Sequence, residues 1–207
     1  MRVINSNGAA TTGRLILSGF CIDSVDKIGS WLDSSFIAGQ QERFLSNFVA
    51  WFKETEELLP KANIAYKSED ERKEALWRTP ICDRRQGHKA KVTDGYGMRV
   101  LAGLEKPPQE LKGNVTQWRL DTSLEYRSSM RSFGSTIFIS QQGYLGLGPI
   151  EMQRGDTISI FLGAKTPSII RSGKDGMYQL VGEAYIHGMM DGQMMETNLE
   201  AENITLY

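Results

Sequence analysis

Four side chains with acid/base capacity fall within nine positions near the C-terminus. They are Glu183, Tyr185, His187 and Asp191, in the stretch Tyr178-Gln-Leu-Val-Gly-Glu-Ala-Tyr-Ile-His-Gly-Met-Met-Asp-Gly-Gln193. An imidazole or a perturbed carboxylate titrates near neutrality, so the set has the chemistry for proton transfer. It suits equally a hydrogen-bonded network that ties one strand to its neighbour, because buried polar groups find partners whether or not a reaction occurs. On an extended strand Val181, Glu183, Tyr185 and His187 point one way, and Gly182, Ala184, Ile186 and Gly188 the other. The small and aliphatic side suits a packed interior. The polar side either completes a network or lines a cleft.

Other chemistries find less in the sequence. A metal site on Glu183, His187 and Asp191 lacks further ligands: His88 is the only other histidine, and there is neither an HExxH nor a cysteine cluster. Gly143-Tyr-Leu-Gly-Leu-Gly148 is neither GxGxxG nor GxxxxGK[ST], and it sits between strands rather than before a helix. Its glycines instead let a neighbouring element pack closely. No GxSxG is present, and neither cysteine has a histidine beside it. No cofactor is expected. Arg131 and Arg171 are candidates for holding an anionic ligand, with Trp118 and Tyr144 as further ligand contacts. Arg154-Gly-Asp156 reads as an ordinary turn.

Composition narrows the classes. Lys and Arg number 24 against 25 Asp and Glu, for a formal charge of -1. That balance provides no field for nucleic acid or an anionic membrane. The basic stretch over 84–91 reads as a solvated, mobile loop. Cys21 and Cys82 are the only cysteines and lie far apart, as reduced cytosolic thiols would. No signal-peptide run or bilayer-length apolar window occurs, so a cytoplasmic location is expected.

Elements must position these residues. A β-prone run over 14–23 reads as a strand, with a short helix over 23–28. Phe44, Leu45, Phe48, Val49, Phe52 and Leu59 share one face of a helix over 42–59, stopped by Pro60. Ser68-Glu-Asp-Glu71 is a capping box opening a helix that ends before Pro80. A short helix over 95–104 and a linker over 106–113 follow. Thr122-Ser-Leu-Glu125 reads as a second capping box, opening a helix to about 130. Beyond 131 glycines multiply, and β-prone runs over 136–140, 144–148, 157–162, 167–170, 177–190 and 202–206 alternate with turn signals. The longest is 177–190. Five or more short antiparallel strands at this spacing argue for a small barrel or sandwich, and closure would hide their unpaired edges.

The residues Gly143-Tyr-Leu-Gly-Leu-Gly-Pro149, Gly155-Asp156, Gly163 with Pro167, Ile170-Arg171 and Val181-Gly-Glu-Ala-Tyr-Ile-His-Gly-Met-Met-Asp-Gly192 carry a family resemblance. In order and spacing they resemble the C-terminal region of fungal heterokaryon-incompatibility proteins, the group built around the HET domain. Weaker similarity reaches upstream to Leu17-Ser-Gly-Phe-Cys-Ile-Asp-Ser-Val-Asp26 and Ala75-Leu-Trp-Arg-Thr79. In that group the HET domain is associated with triggering cell death after non-self recognition. The tail-like pattern here begins almost at Met1, so the chain reads as a fragment or a stand-alone form, and the HET domain's activity does not carry over.

The expectation is an α+β chain, a single domain over 1–207. A small antiparallel β-barrel of Greek-key or SH3-like type occupies about 131–207, with the early strand over about 14–23 joining it. A helical region over about 24–130 packs on it. The leading function is a non-enzymatic, incompatibility-type interaction or regulatory module that binds a protein partner. The alternative is a cofactor-independent isomerase, cyclase or lyase of fungal secondary metabolism. It would use Glu183, Tyr185, His187 and Asp191 in a pocket that takes a small-molecule ligand.

Overall fold

The computed structural model describes residues 13–31, 41–60, 65–85, 87–111, 113–127, 135–193 and 199–207. Its first strand, β1 (Leu15–Trp31), is also its longest. The short helix expected over 23–28 is absent; the strand runs straight through. Bulges let it do so. Ile22 is unmatched opposite β6 (Thr157–Phe161), and a further register shift at Asp26 bends the strand toward β4 (Ser135–Ser140). Each extra residue adds curvature, so one strand wraps around the sheet.

Helix α1 (Gln41–Leu58) buries Phe44, Phe48, Trp51 and Phe52. Trp51 joins the expected stripe, and its indole Nε1 donates to the Ser30 carbonyl at 2.9 Å. Gly29 permits the contact between α1 and the sheet: a Cβ there would clash with Ile137 and lie 2.8 Å from Leu58. Helix α2 (Glu69–Arg78) opens as expected, with Ser68 Oγ accepting from Glu71 N–H at 3.1 Å. The Glu71 carboxylate reaches back one residue further, accepting from Lys67 N–H at 2.7 Å.

The stretch over 84–91 is a small hairpin of β2 (Arg84–Arg85) and β3 (His88–Lys89), which corrects its reading as a mobile loop. Helix α3 (Tyr96–Leu101) follows, then α4 (Val115–Arg127). The latter corrects the second capping box. Thr122 and Ser123 are buried in mid-helix, and Ser123 Oγ donates to the Leu120 carbonyl at 2.7 Å. A capping pattern is only an option until tertiary burial decides where the helix starts.

The remaining strands are β5 (Leu145–Pro149), β7 (Ser168–Ser172), β8 (Tyr178–Glu183), β9 (Tyr185–Ile186) and β10 (Glu202–Leu206). The run over 177–190 is therefore two strands and a turn. It breaks at Ala184, where the chain stops pairing with β7 and starts pairing with β5. Strand β10 returns to pair with both β1 and β8, closing the ring β1–β6–β7–β8–β10. The β8–β10 contact is parallel, so the barrel is mixed rather than purely antiparallel. Parity requires it, since an odd ring of five cannot alternate direction all the way round.

Alternation along β4 separates the two main cores. Phe138 packs with Ile158, Ile169 and Ile186. Ile137 and Ile139 face the helices, meeting Phe48, Phe52, Trp77 and Met98. Both faces of this strand are buried, so it reads as a continuous apolar run. A smaller cluster of Phe161, Ile170, Ile204 and Leu206 secures the β10 closure.

Candidate functional site

The site forms where the helical region meets β9, and the turn after α2 shapes it. Thr79–Ile81 tightens into a 3₁₀ turn with Pro80 at its start. Cys82 and Asp83 then both adopt left-handed backbone, at φ 50° and 54°. Each such residue costs on the order of 1–2 kcal/mol without glycine. This conformation directs the Asp83 carboxylate at the Arg78 guanidinium. Arg78 also meets Glu74 at 3.0 Å and the Ala90 carbonyl at 2.7 Å, and it lies 4.3 Å above the Trp77 ring. The Asp83 carbonyl accepts from Ala90 N–H at 2.9 Å. One buried arginine thus holds the β2–β3 hairpin in place. Lys89, from that hairpin, pairs with Asp191 and approaches Asp83 at 3.9 Å. The turn after β9 is bridged to the hairpin by charge.

Beneath these pairs lies an aromatic network. The Tyr185 hydroxyl meets His187 Nδ1 at 3.1 Å. Tyr66 bridges two backbone groups, accepting from Leu145 N–H at 3.0 Å and donating to the His187 carbonyl at 3.1 Å. Its ring stands edge-on to Tyr144 at 6.1 Å and lies 5.9 Å from the imidazole. Burial pushes the His187 imidazole down to about 4, with the Asp83 charge opposing that fall. Burial also raises the Tyr185 and Tyr66 phenols well above their ordinary range. At neutral pH the imidazole and both phenols are uncharged. Groups shifted this far from neutrality are weak proton carriers there.

A cleft of about 550 Å³ opens beside the network. Cys82, Asp83 and Lys89 line it from the turn after α2 and the hairpin, Glu183, Tyr185 and Asp191 from β8, β9 and the turn beyond, and Lys165 also belongs to its lining. His187 faces an adjoining hollow of about 240 Å³, which shares Asp83, Lys89, Tyr185 and Asp191 with the cleft. The structure therefore gathers Glu183, Tyr185 and Asp191, with His187 one hollow away. Val181 departs from the expected alternation and packs against the cluster of Phe138, Ile158 and Ile169. It is the unmatched residue between the pairs Ile170–Leu180 and Ile169–Gly182, and that bulge reverses the phase of the strand.

The other candidates lie apart. Trp118 sits on α4 against Tyr96, ring centres 6.4 Å apart, and does not line the cleft. Tyr144 backs Tyr66 from behind the network. Arg171 is engaged by Asp156 through two 2.8 Å hydrogen bonds and gives a third to the Glu151 carbonyl. Asp156, the acid of the Arg-Gly-Asp turn, is buried. Arg131 lies outside the described residues. Arg78, Asp83, Lys89 and Lys165 were missed, because they come from segments distant in sequence. Only Pro80 hinted at the sharp turn before Asp83. Neither Cys21 nor Cys82 is in a disulfide. Among the described residues no group of three or more His, Cys, Asp or Glu side chains is placed to hold a metal ion, and no helix is long and apolar enough to cross a membrane.

A family model, the Het-6 beta-barrel domain, matches residues 94–206. The chain is 28% identical over 220 residues to "Heterokaryon incompatibility protein 6, OR allele" of Neurospora crassa, covering 87% of this chain and 32% of that protein. It thus spans about a third of the length of that curated relative. No solved structure matches.

Proposed function

The chain belongs to the Het-6 beta-barrel domain family, and from that premise we propose that it is a fungal incompatibility-type interaction or regulatory module. It reads a protein partner at the cleft between the β2–β3 hairpin and the turn after β9, and performs no reaction. One observation carries this reading. The cleft walls are set by opposed charge pairs, Arg78 with Asp83 and Lys89 with Asp191, while Glu183 stays exposed at the mouth. A rigid wall with an exposed charged rim suits recognition, where charge selects the partner. The ring β1–β6–β7–β8–β10 is filled by Phe161, Ile170, Ile204 and Leu206 from its own strands, so the available surface lies outside it.

The test uses the full chain as bait in fungal extract, beside Glu183→Lys. A partner retained by the wild type and lost by the variant supports the reading. Equal recovery by both, or no specific partner under several conditions, overturns it.

A second reading, the cofactor-independent isomerase, cyclase or lyase, draws on the gathering of Glu183, Tyr185 and Asp191 on one cleft. A strain carrying Glu183→Gln would then lose a metabolite; an unchanged metabolite profile ends that reading.

A further inference from the structure

Past Lys165 the cleft continues into a second groove of about 240 Å³. Leu162, Pro167, Met189 and Met190 wall it, and Lys165, Thr166 and Met190 belong to both hollows. The groove is smaller than the roughly 300–1,000 Å³ typical of pockets for whole small ligands. It has room for an apolar side chain. Leu162 is 51% exposed beside it, an apolar surface left to water.

Lys165 is the one charged residue on this groove among the described residues. It is exposed, and no ion pair or hydrogen bond engages its ammonium among those residues. The nearby cations Arg78 and Lys89 are matched by Asp83 and Asp191. Along the cleft Arg84, Lys89 and Lys165 are matched in number by Asp83, Glu183 and Asp191, but the groove itself carries Lys165 alone, so the charge at its end is positive. An occupant gains most by placing apolar surface in the groove and a carboxylate at its end, since charge complementarity at a rim selects against the opposite sign.

We propose that the Leu162–Pro167–Met189–Met190 groove takes an apolar side chain from a partner protein's segment, with a neighbouring carboxylate of that segment on Lys165. The inference rests on the interaction reading and supplies the chemistry of the partner.

Fluorescence polarisation of the full chain with three labelled heptapeptides tests it. One alternates leucine with glutamate, one leucine with lysine, and one serine with glutamate. The leucine–glutamate peptide is expected to bind about tenfold tighter than either other, a difference of about 1.4 kcal/mol. Lys165→Glu should invert the preference between the two leucine peptides, and Leu162→Asp should weaken both. Both positions are exposed, so the variants keep the fold, which circular dichroism checks. Equal binding of all three peptides, or no inversion in Lys165→Glu, overturns the inference. So does decanoate binding in the groove without peptide binding, which would make it a site for a small amphiphilic acid. If Glu183→Lys abolishes partner capture while the peptides show no preference, the interaction reading stands and this inference alone falls.

Discussion

The Tyr185 hydroxyl lies 3.1 Å from Nδ1 of His187, two residues further along the chain. The phenol and the imidazole are both held neutral by burial. Their hydrogen bond fixes the turn after β9 against the layer of Tyr66 and Tyr144, behind a rim of ion pairs. Tyr185, His187 and Tyr66 are thereby joined in one aromatic network.

That arrangement makes stability depend on acid. The folded value of His187 is about 4 against the ordinary 6.5, so between those values the unfolded chain binds a proton that the folded chain excludes. Stability from this group is intact above pH 6.5 and falls as pH drops toward 4, by roughly 3 kcal/mol in all. Urea midpoints at pH 7 and 4.5 should fall more for the wild type than for His187→Gln. Parallel declines would show that His187 is not the group responsible.

Asp156 is 3% exposed and accepts from two of the three Arg171 guanidinium nitrogens and from Gln153 N–H at 2.8 Å. Asp156→Ala leaves that guanidinium and amide without their acceptor. It should cost about 3 kcal/mol, read as a lower midpoint in chemical denaturation.

Gly146 is a packing residue. A Cβ there would lie 2.5 Å from the Phe138 ring and 2.7 Å from the Tyr185 carbonyl, where β5 meets β9. Gly146→Ala should destabilise the fold by about 1–3 kcal/mol. A thermal midpoint equal to the wild type would show that the β5–β9 seam is looser than its geometry.

Strand β1 pairs with β4, β6 and β10. A chain cut to residues 135–207 leaves each of those strands an open edge and should not fold alone. Its amide proton spectrum is expected to be undispersed, whereas the full chain gives a dispersed one. A folded fragment would make the C-terminal strands an independent domain.

Local chemistry made some elements legible from the sequence. The Phe44–Phe48–Phe52 stripe marks α1, Ser68 marks the start of α2, and the alternation over 157–161 marks β6. These signals act over one or two turns, where spacing alone sets which side chains meet. Signals of equal local strength misled elsewhere. The Thr122 capping box lies inside α4 because burial of that face outweighs a side-chain cap. The run over 177–190 read as one strand because nothing local marks the exchange of partners at Ala184.

The α+β class, the closing of short strands into a barrel, and the family resemblance carried by 143–192 were legible along the chain. These depend on pattern and order along the chain. The parallel seam at β10, the wrap of β1, and the cleft depend instead on long-range packing. The cleft walls unite Asp83 and Lys89 with Glu183, Tyr185 and Asp191, about a hundred positions apart. No local spacing encodes such a contact. It follows from a left-handed turn at Cys82–Asp83 and a bulge at Val181, conformations that hold only because the packed fold around them leaves no better one.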